Sequence, residues 1–289
     1  YLGYTSAFKQ DECMRKMRNM LLTYAKPINH TNKKTYYYRD ELNDDFANNG
    51  IVAKKTPAKY RYIHKCPVWN FLAFILYYVI AKPVVFLLNK IVYRQKIVNH
   101  LTLSKKDIKG CFIYANHTLD MGDAYTPNLI FARRNNIIVG PEATSIFFVR
   151  SIVAMLGGMP LPSTLKGTTN FLDSIKHKID KKQSITIYPE AHIWPFYTGI
   201  RNFSSSSFKY PVNLNTPIIV VTNTFLPYKK SYKLVSHLDG PFYPDLTKEK
   251  SLAVQELRNI AYQTMLKRST EVFQFEKNRY INLNEIEIK

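Results

Sequence analysis

From residue 110 onward, short apolar runs alternate along the chain with stretches of helical spacing. Cys111 to Ala115 (CFIYA), Ile137 to Gly140, Ser184 to Tyr188 (SITIY) and Pro217 to Thr224 (PIIVVTNT) are short and mostly apolar, and they are predicted to be buried strands. Tyr232 to His237 reads as a further strand after a turn at residues 227–230. Thr118 to Arg134, Thr144 to Leu156, residues 168–180 and Lys248 to Glu271 have helical patterns. The second of these stops at Gly157-Gly158, as helices commonly do. Strands alternating with helices predict an α/β fold with a largely parallel mixed sheet flanked by helices.

Upstream the pattern differs. Pro67 to Ala81 is uncharged and rich in Phe, Leu, Ile and Tyr; Lys82-Pro83 interrupts it, Pro83 to Asn89 resumes it, and Lys90, Arg94 and Lys96 close it. A helix over the first run is about 22 Å long, short of the roughly 30 Å hydrocarbon core of a bilayer. Pro83 is expected to bend or break a continuous span. The pattern thus predicts an N-terminal membrane-associating helical pair lying in one leaflet, with Trp69, Tyr77 and Tyr78 at the interface and the basic residues toward anionic headgroups. Buried helices of the fold, or one tilted span, are the alternatives. Before this region the chain is polar, with a short helix expected at Met17 to Tyr24 and a surface segment at residues 32–45. The expected organisation is a polar N-terminal extension (1–64), a membrane-associating segment (65–98) and an α/β domain (99–289).

Composition adds two constraints. The 289 residues carry 41 Lys+Arg against 21 Asp+Glu, a formal charge of +20, which suits polyanions of any kind. Lys, Asn, Ile and Tyr are abundant throughout, so compositional drift explains the charge equally well. No RRM-like, zinc-finger or other nucleic-acid module is recognisable, and no nucleic-acid partner is expected. Cys13, Cys66 and Cys111 are isolated, which argues for a reducing compartment and against a disulfide framework or zinc site. No signal peptide is recognised at the start of the chain.

In sheets of this kind, sites form where strands end and loops begin. Asn116-His117 follows CFIYA directly, and Tyr188-Pro189-Glu190-Ala191-His192 closes SITIY. His117 is the natural general base, because its unperturbed pKa lies near neutrality. A carboxylate on its other ring nitrogen would fix the tautomer. Asp120 and Asp123 are both close enough in sequence; Asp120 shares a helix face with His117 if a helix has already begun, and Asp123 can return only if His117 precedes it. A helix cap or a satisfied core histidine is the structural alternative. Trp194 and Tyr197 could line a pocket or belong to the core. His177 and His192 lack metal-ligand spacing, and Ser204 to Ser207 has no nucleophile-elbow context, so it reads as a loop.

Four blocks in order resemble the glycerolipid acyltransferase family, which includes the 1-acylglycerol-3-phosphate acyltransferases. Asn116-His117 with Asp123 resembles that family's NHxxxxD block. Ile146 to Pro162 resembles its second region, Tyr188-Pro189-Glu190 its FPEGTR block, and Thr216 to Val220 its fourth. The match covers roughly residues 65–275, and NHTLDMGDA with YPEAHIWPFYTGIRNF is similar to a bacterial, Firmicutes-type branch. The resemblance implies transfer of an acyl group from acyl-CoA or an acyl carrier protein to the hydroxyl of a lysophosphatidate-like acceptor. It implies His117 and Asp123 as catalytic residues, and Asn116, Glu190, Arg201 and Lys166 as substrate-binding. No metal or cofactor is implied, and the expected location is the cytoplasmic side of the cell membrane on an anionic lipid surface. Another lysolipid or hydroxyl acceptor, or a non-catalytic lipid-binding relative, are the alternatives. The chain departs from the family at three places. Five residues, not four, separate His117 from Asp123; Ala191 and His192 replace the Gly-Thr of FPEGTR, and its Arg is unmatched; no Arg follows Pro160-Leu161-Pro162, where the family often carries one for phosphate. Arg201 is therefore favoured for that task, with Lys166 near.

Overall fold

A computed structural model describes residues 33–47, 53–99, 108, 110–119, 122–145 and 147–286. Residues 1–32, with the helix expected at Met17 to Tyr24, lie outside this set, as do Cys13 and Asp120. In chain order the elements are β1 (Lys34–Tyr38), α1 (Pro67–Ile91), β2 (Lys96–Val98), β3 (Cys111–Ala115), β4 (Asn135–Val139), α2 (Phe147–Met155), β5 (Gly158–Pro160), α3 (Leu165–Asp180), β6 (Ser184–Ile187), α4 (Lys209–Asn213), β7 (Ile218–Tyr228), β8 (Ser231–Phe242), α5 (Lys250–Thr270), β9 (Asn278–Asn282) and α6 (Leu283–Ile286).

Seven strands form one sheet in the order β2-β8-β7-β3-β6-β4-β5, parallel at every pairing except β7–β8. The expected mixed, largely parallel sheet is what the chain forms. β3 is central and buried along its whole length, which explains why its sequence is apolar at every position. Its side chains still alternate. Phe112 and Tyr114 join Ile185, Ile187, Ile218 and Val220 in a core under α3 and α5, while Cys111, Ile113 and Ala115 meet Ile130, Ile219 and Leu238 on the other face. α3 starts where the Thr164 side chain accepts from the Gly167 N–H at 3.1 Å, and it buries Phe171, Ile175 and Ile179 on one stripe.

The region read as two helices is one. α1 runs unbroken over 25 residues, about 37 Å, because a π-helical turn at Ile75–Ala81 widens the backbone just before Pro83. The proline then takes a first-turn position of the following α segment, where its missing N–H costs little. One stripe of α1 lies against the sheet domain through buried Ala73, Tyr77, Val85 and Asn89. The Tyr77 hydroxyl accepts from Asn135 N–H at 2.9 Å, and Lys82 Nζ donates to the carbonyls of Phe131 and Ala132 at 2.8 and 3.0 Å. The rest is bare. Val68, Phe71, Leu72, Val79, Ile80, Val84, Phe86, Leu87 and Ile91 are all at least half exposed or nearly so, and only 17% of the most apolar window is buried.

Two segments distant in sequence pair with each other. β1 and β9 form a parallel ladder from Lys34↔Asn278 to Tyr38↔Asn282. Residues 33–45, within the surface segment expected over 32–45, thereby reach the loop after β6: the Trp194 Nε1–H donates to the Asp44 carbonyl at 2.8 Å.

Candidate active site

His117 lies two residues past the end of β3, at the C-terminal edge of the central strand. Its Nδ1 is 2.8 Å from Asp123 Oδ2, with side chains 13% and 2% exposed respectively. The same oxygen accepts the Leu119 N–H at 2.9 Å. The rival carboxylate, Asp120, lies outside the described residues. A helix from Thr118 to Arg134 is not formed; short 3₁₀ turns at Gly122–Ala124 and Thr126–Leu129 stand in its place. Pro127 has no N–H to give the Asp123 carbonyl, which accepts from the Tyr188 hydroxyl instead. Gly122 makes room for the turn, since a Cβ there would come within 3.0 Å of Leu119 Cβ and 3.2 Å of the Tyr93 hydroxyl. Burial pushes the Asp123 carboxyl up, and the hydrogen bond and charge of His117 oppose that rise.

The loop after β6 is stitched to this turn. Glu190 Oε2 accepts the His117 N–H at 2.8 Å, Trp194 N–H donates to the His117 carbonyl at 3.1 Å, and Phe196 N–H donates to the Thr118 carbonyl at 2.8 Å. The Tyr188 ring stacks on the imidazole at 4.2 Å, and its hydroxyl donates to the Asp123 carbonyl at 2.6 Å. With Nδ1 committed to Asp123, the imidazole keeps Nε2 for a second partner, and that nitrogen makes no hydrogen bond among the described residues. An imidazole fixed on one side by a carboxylate can accept a proton on the other.

The other predicted site residues take different places. Asn116 is 1% exposed, and its amide spans to β7: Nδ2 donates to the Asn223 carbonyl at 3.0 Å and Oδ1 accepts Asn223 N–H at 2.8 Å. That side chain closes the β3–β7 pairing. Arg201, expected to meet acceptor phosphate, is fully buried. Its guanidinium lies 3.5 Å from Glu190, donates to the carbonyls of Glu41 and His192, and covers the Trp194 ring at 4.7 Å. Burial holds its pKa below the ordinary value, and Glu190 opposes the fall. Glu190 also accepts the Arg201 N–H through Oε1 at 2.9 Å, so the carboxylate bridges both loops from beneath the dyad. Lys166 is exposed in the first turn of α3 and makes no contact with this group among the described residues.

Trp194 belongs to the core: Tyr280 stacks on it at 5.1 Å, with Tyr38, Phe46 and Tyr197 packed around it. Sequence reasoning missed Tyr188 and the β1–β9 clamp. Tyr188 had a signal, being an aromatic at the same strand end as Glu190. Pairing across nearly the whole chain has none.

Ala191, which replaces the glycine of the FPEGTR pattern, has φ 63°, a left-handed conformation that glycine adopts freely. The site keeps the backbone shape without the residue that suits it best. Ala191→Gly is expected to preserve the thermal midpoint or raise it, whereas Ala191→Val should lower stability by about 1–3 kcal/mol. Equal midpoints for the Gly and Val variants would show the loop to be unstrained.

No family model matches the chain, and no curated protein matches it. Among solved structures, the chain is similar to the crystal structure of the 1-acyl-sn-glycerophosphate (LPA) acyltransferase, PlsC, from Thermotoga maritima. The identity is 14% and the TM-score 0.47, over 72% of this chain and 96% of that one.

Proposed function

We propose that this chain is a membrane-docked O-acyltransferase. It moves a fatty acyl group from an acyl thioester, acyl-CoA or acyl carrier protein, to the free hydroxyl of a lysophosphatidate-like acceptor. The observation that carries this reading is the His117–Asp123 contact at the end of the central strand, with Nε2 left for a substrate. His117 Nε2 takes the acceptor's hydroxyl proton as the oxygen attacks the thioester carbonyl. Asp123 holds the ring and stabilises the imidazolium that forms. Collapse of the tetrahedral intermediate expels the thiolate, and His117 returns the proton to it. The order of the four sequence blocks favours the same assignment. Glu190 and Arg201 act here as braces that position the His117 backbone; acceptor phosphate must be met by other cations, Lys166 among the candidates.

The bare face of α1 supports membrane docking. Because the helix is held along one side from Ala73 to Asn89, it is suited to lie in the interface with its other side in lipid. Phe86→Glu with Leu87→Glu should leave the circular dichroism spectrum intact and weaken vesicle binding by about tenfold or more per site. Full vesicle retention in that variant would place α1 outside the membrane.

The function is tested by thiol release. Purified chain given acyl-CoA or acyl carrier protein should release free thiol when lysophosphatidate is added, and more slowly with other lysolipids. Release with another hydroxyl acceptor alone would move the substrate assignment. Lipid binding with no release from any acceptor would overturn catalysis.

A further inference from the structure

Three cations, Arg61, Arg134 and Lys178, gather with His64 at the opposite end of the sheet from His117. Arg134 immediately precedes β4, and its carbonyl accepts the Ser184 N–H, the first residue of β6, at 3.1 Å. The neighbouring Gln183 donates its N–H to the Lys178 carbonyl at 3.0 Å and accepts from Asn136 Nδ2 at 2.9 Å. These bonds bring the last turn of α3 beside the N-terminal ends of β4 and β6. The Arg134 guanidinium covers the Tyr77 ring at 4.7 Å and donates to the Met155 carbonyl at the end of α2. On the same side, His64 stacks on Trp69 at 4.2 Å in the first turn of α1. The neighbouring charges that lower His64 are Arg61, Lys178 and Arg134, all positive, and Arg134 also lowers Lys178. Among the described residues no carboxylate pairs with any of the four.

For the partly buried Arg134 and Lys178 such an arrangement is costly unless an anion joins it, while Arg61 beside them is exposed. A desolvated cation without a counter-charge loses several kcal/mol of hydration. Burial, with Arg134 adding to it, pulls the Lys178 amine down to about 8, and burial with the same neighbours lowers His64. The first turn of α1 has no side-chain cap, and its Trp69 stacks on His64, so the helix's N-terminal N–H groups and positive dipole end lie beside His64. Around it, Val68 and Phe71 are 67% and 63% exposed, and Trp69 is of the kind that settles at a lipid interface. We propose that Arg61, His64, Arg134 and Lys178, with the start of α1, form a phosphate-binding site. It is separate from the dyad and set where the headgroup phosphate of an anionic lipid can enter. The site is independent of whether the chain transfers acyl groups.

The chain in phosphate-free buffer is floated with phosphatidylcholine vesicles that contain or lack phosphatidylglycerol. Separately, its thermal unfolding is followed as inorganic phosphate is added. Lys178→Gln and His64→Gln are compared with the exposed control Lys230→Gln. Phosphate should raise the unfolding midpoint of the parent and the control, and not that of Lys178→Gln. Retention on phosphatidylglycerol vesicles should fall about fivefold for each site variant and hold for the control. Loss in both measurements assigns the lipid phosphate as ligand. Loss of the phosphate effect with unchanged vesicle retention keeps the site and assigns free phosphate to it. If phosphate stabilises neither parent nor variants and vesicle retention is the same in all of them, the proposal is overturned. Because Gln removes an unpaired charge and suits a helix, Lys178→Gln is expected to fold; His64→Gln, outside any helix, tests the same site from the other side.

Discussion

His117→Ala is expected to lower acyl transfer by about 10²–10⁴-fold, the range a positioned base contributes. The loss should fall on kcat, since the imidazole meets the hydroxyl proton only as the bond forms. Asp123→Asn should cost as much or more. The asparagine carries no charge for the imidazolium, and its NH₂ can donate to Nδ1 and so move the ring proton to Nε2, where a base needs its lone pair. Thiol release measured on parent, His117→Ala, Asp123→Asn and Asp120→Asn separates these roles. Asp120→Asn should retain most activity. A rate within a few-fold of the parent for Asp123→Asn would assign the histidine another partner in the working state.

The second large effect is on stability. Glu190 and Arg201 are both fully buried as side chains and face each other at 3.5 Å. Glu190→Gln leaves a guanidinium without its counter-charge in a dry interior, and a loss of about 3–5 kcal/mol is expected. Arg201→Met strands the carboxylate less completely, because Glu190 keeps the N–H groups of His117 and Arg201. Combining the two changes should cost clearly less than their sum, since the charge each single change exposes is gone. Denaturant midpoints with unchanged slopes measure all three. A loss near 1 kcal/mol for Glu190→Gln would mean that water reaches the pair.

How far the site could be read from the chain follows from what each residue's neighbours are. His117 and Asp123 were legible because their partners are close in sequence and the strand before them is apolar at every position. Arg201 was not, because an arginine in a polar loop looks like a surface charge. Its burial depends on Trp194 in the same loop and on Glu41 and Tyr280, which arrive from opposite ends of the chain. In α1 the cost of Pro83 was legible, while the π turn that absorbs it belongs to hydrogen-bond geometry and has no residue signature. Thr118 to Arg134 carried helix-like spacing, but Pro127 denies the Asp123 carbonyl its helical donor and the Tyr188 hydroxyl takes that place.

The β1–β9 ladder has a consequence for how the molecule is made. Joining strands from near opposite ends of a chain carries a large loop-closure entropy, and contacts of that range form late in folding. The aromatic residues that seat Arg201, and through Glu190 steady His117, include Tyr280 on the last strand. During synthesis the sheet can therefore assemble ahead of the loop that follows β6, which settles only when residues 278–282 have left the ribosome. An apolar α1 already free to meet lipid would then place the nascent protein at the membrane before it is competent to act there.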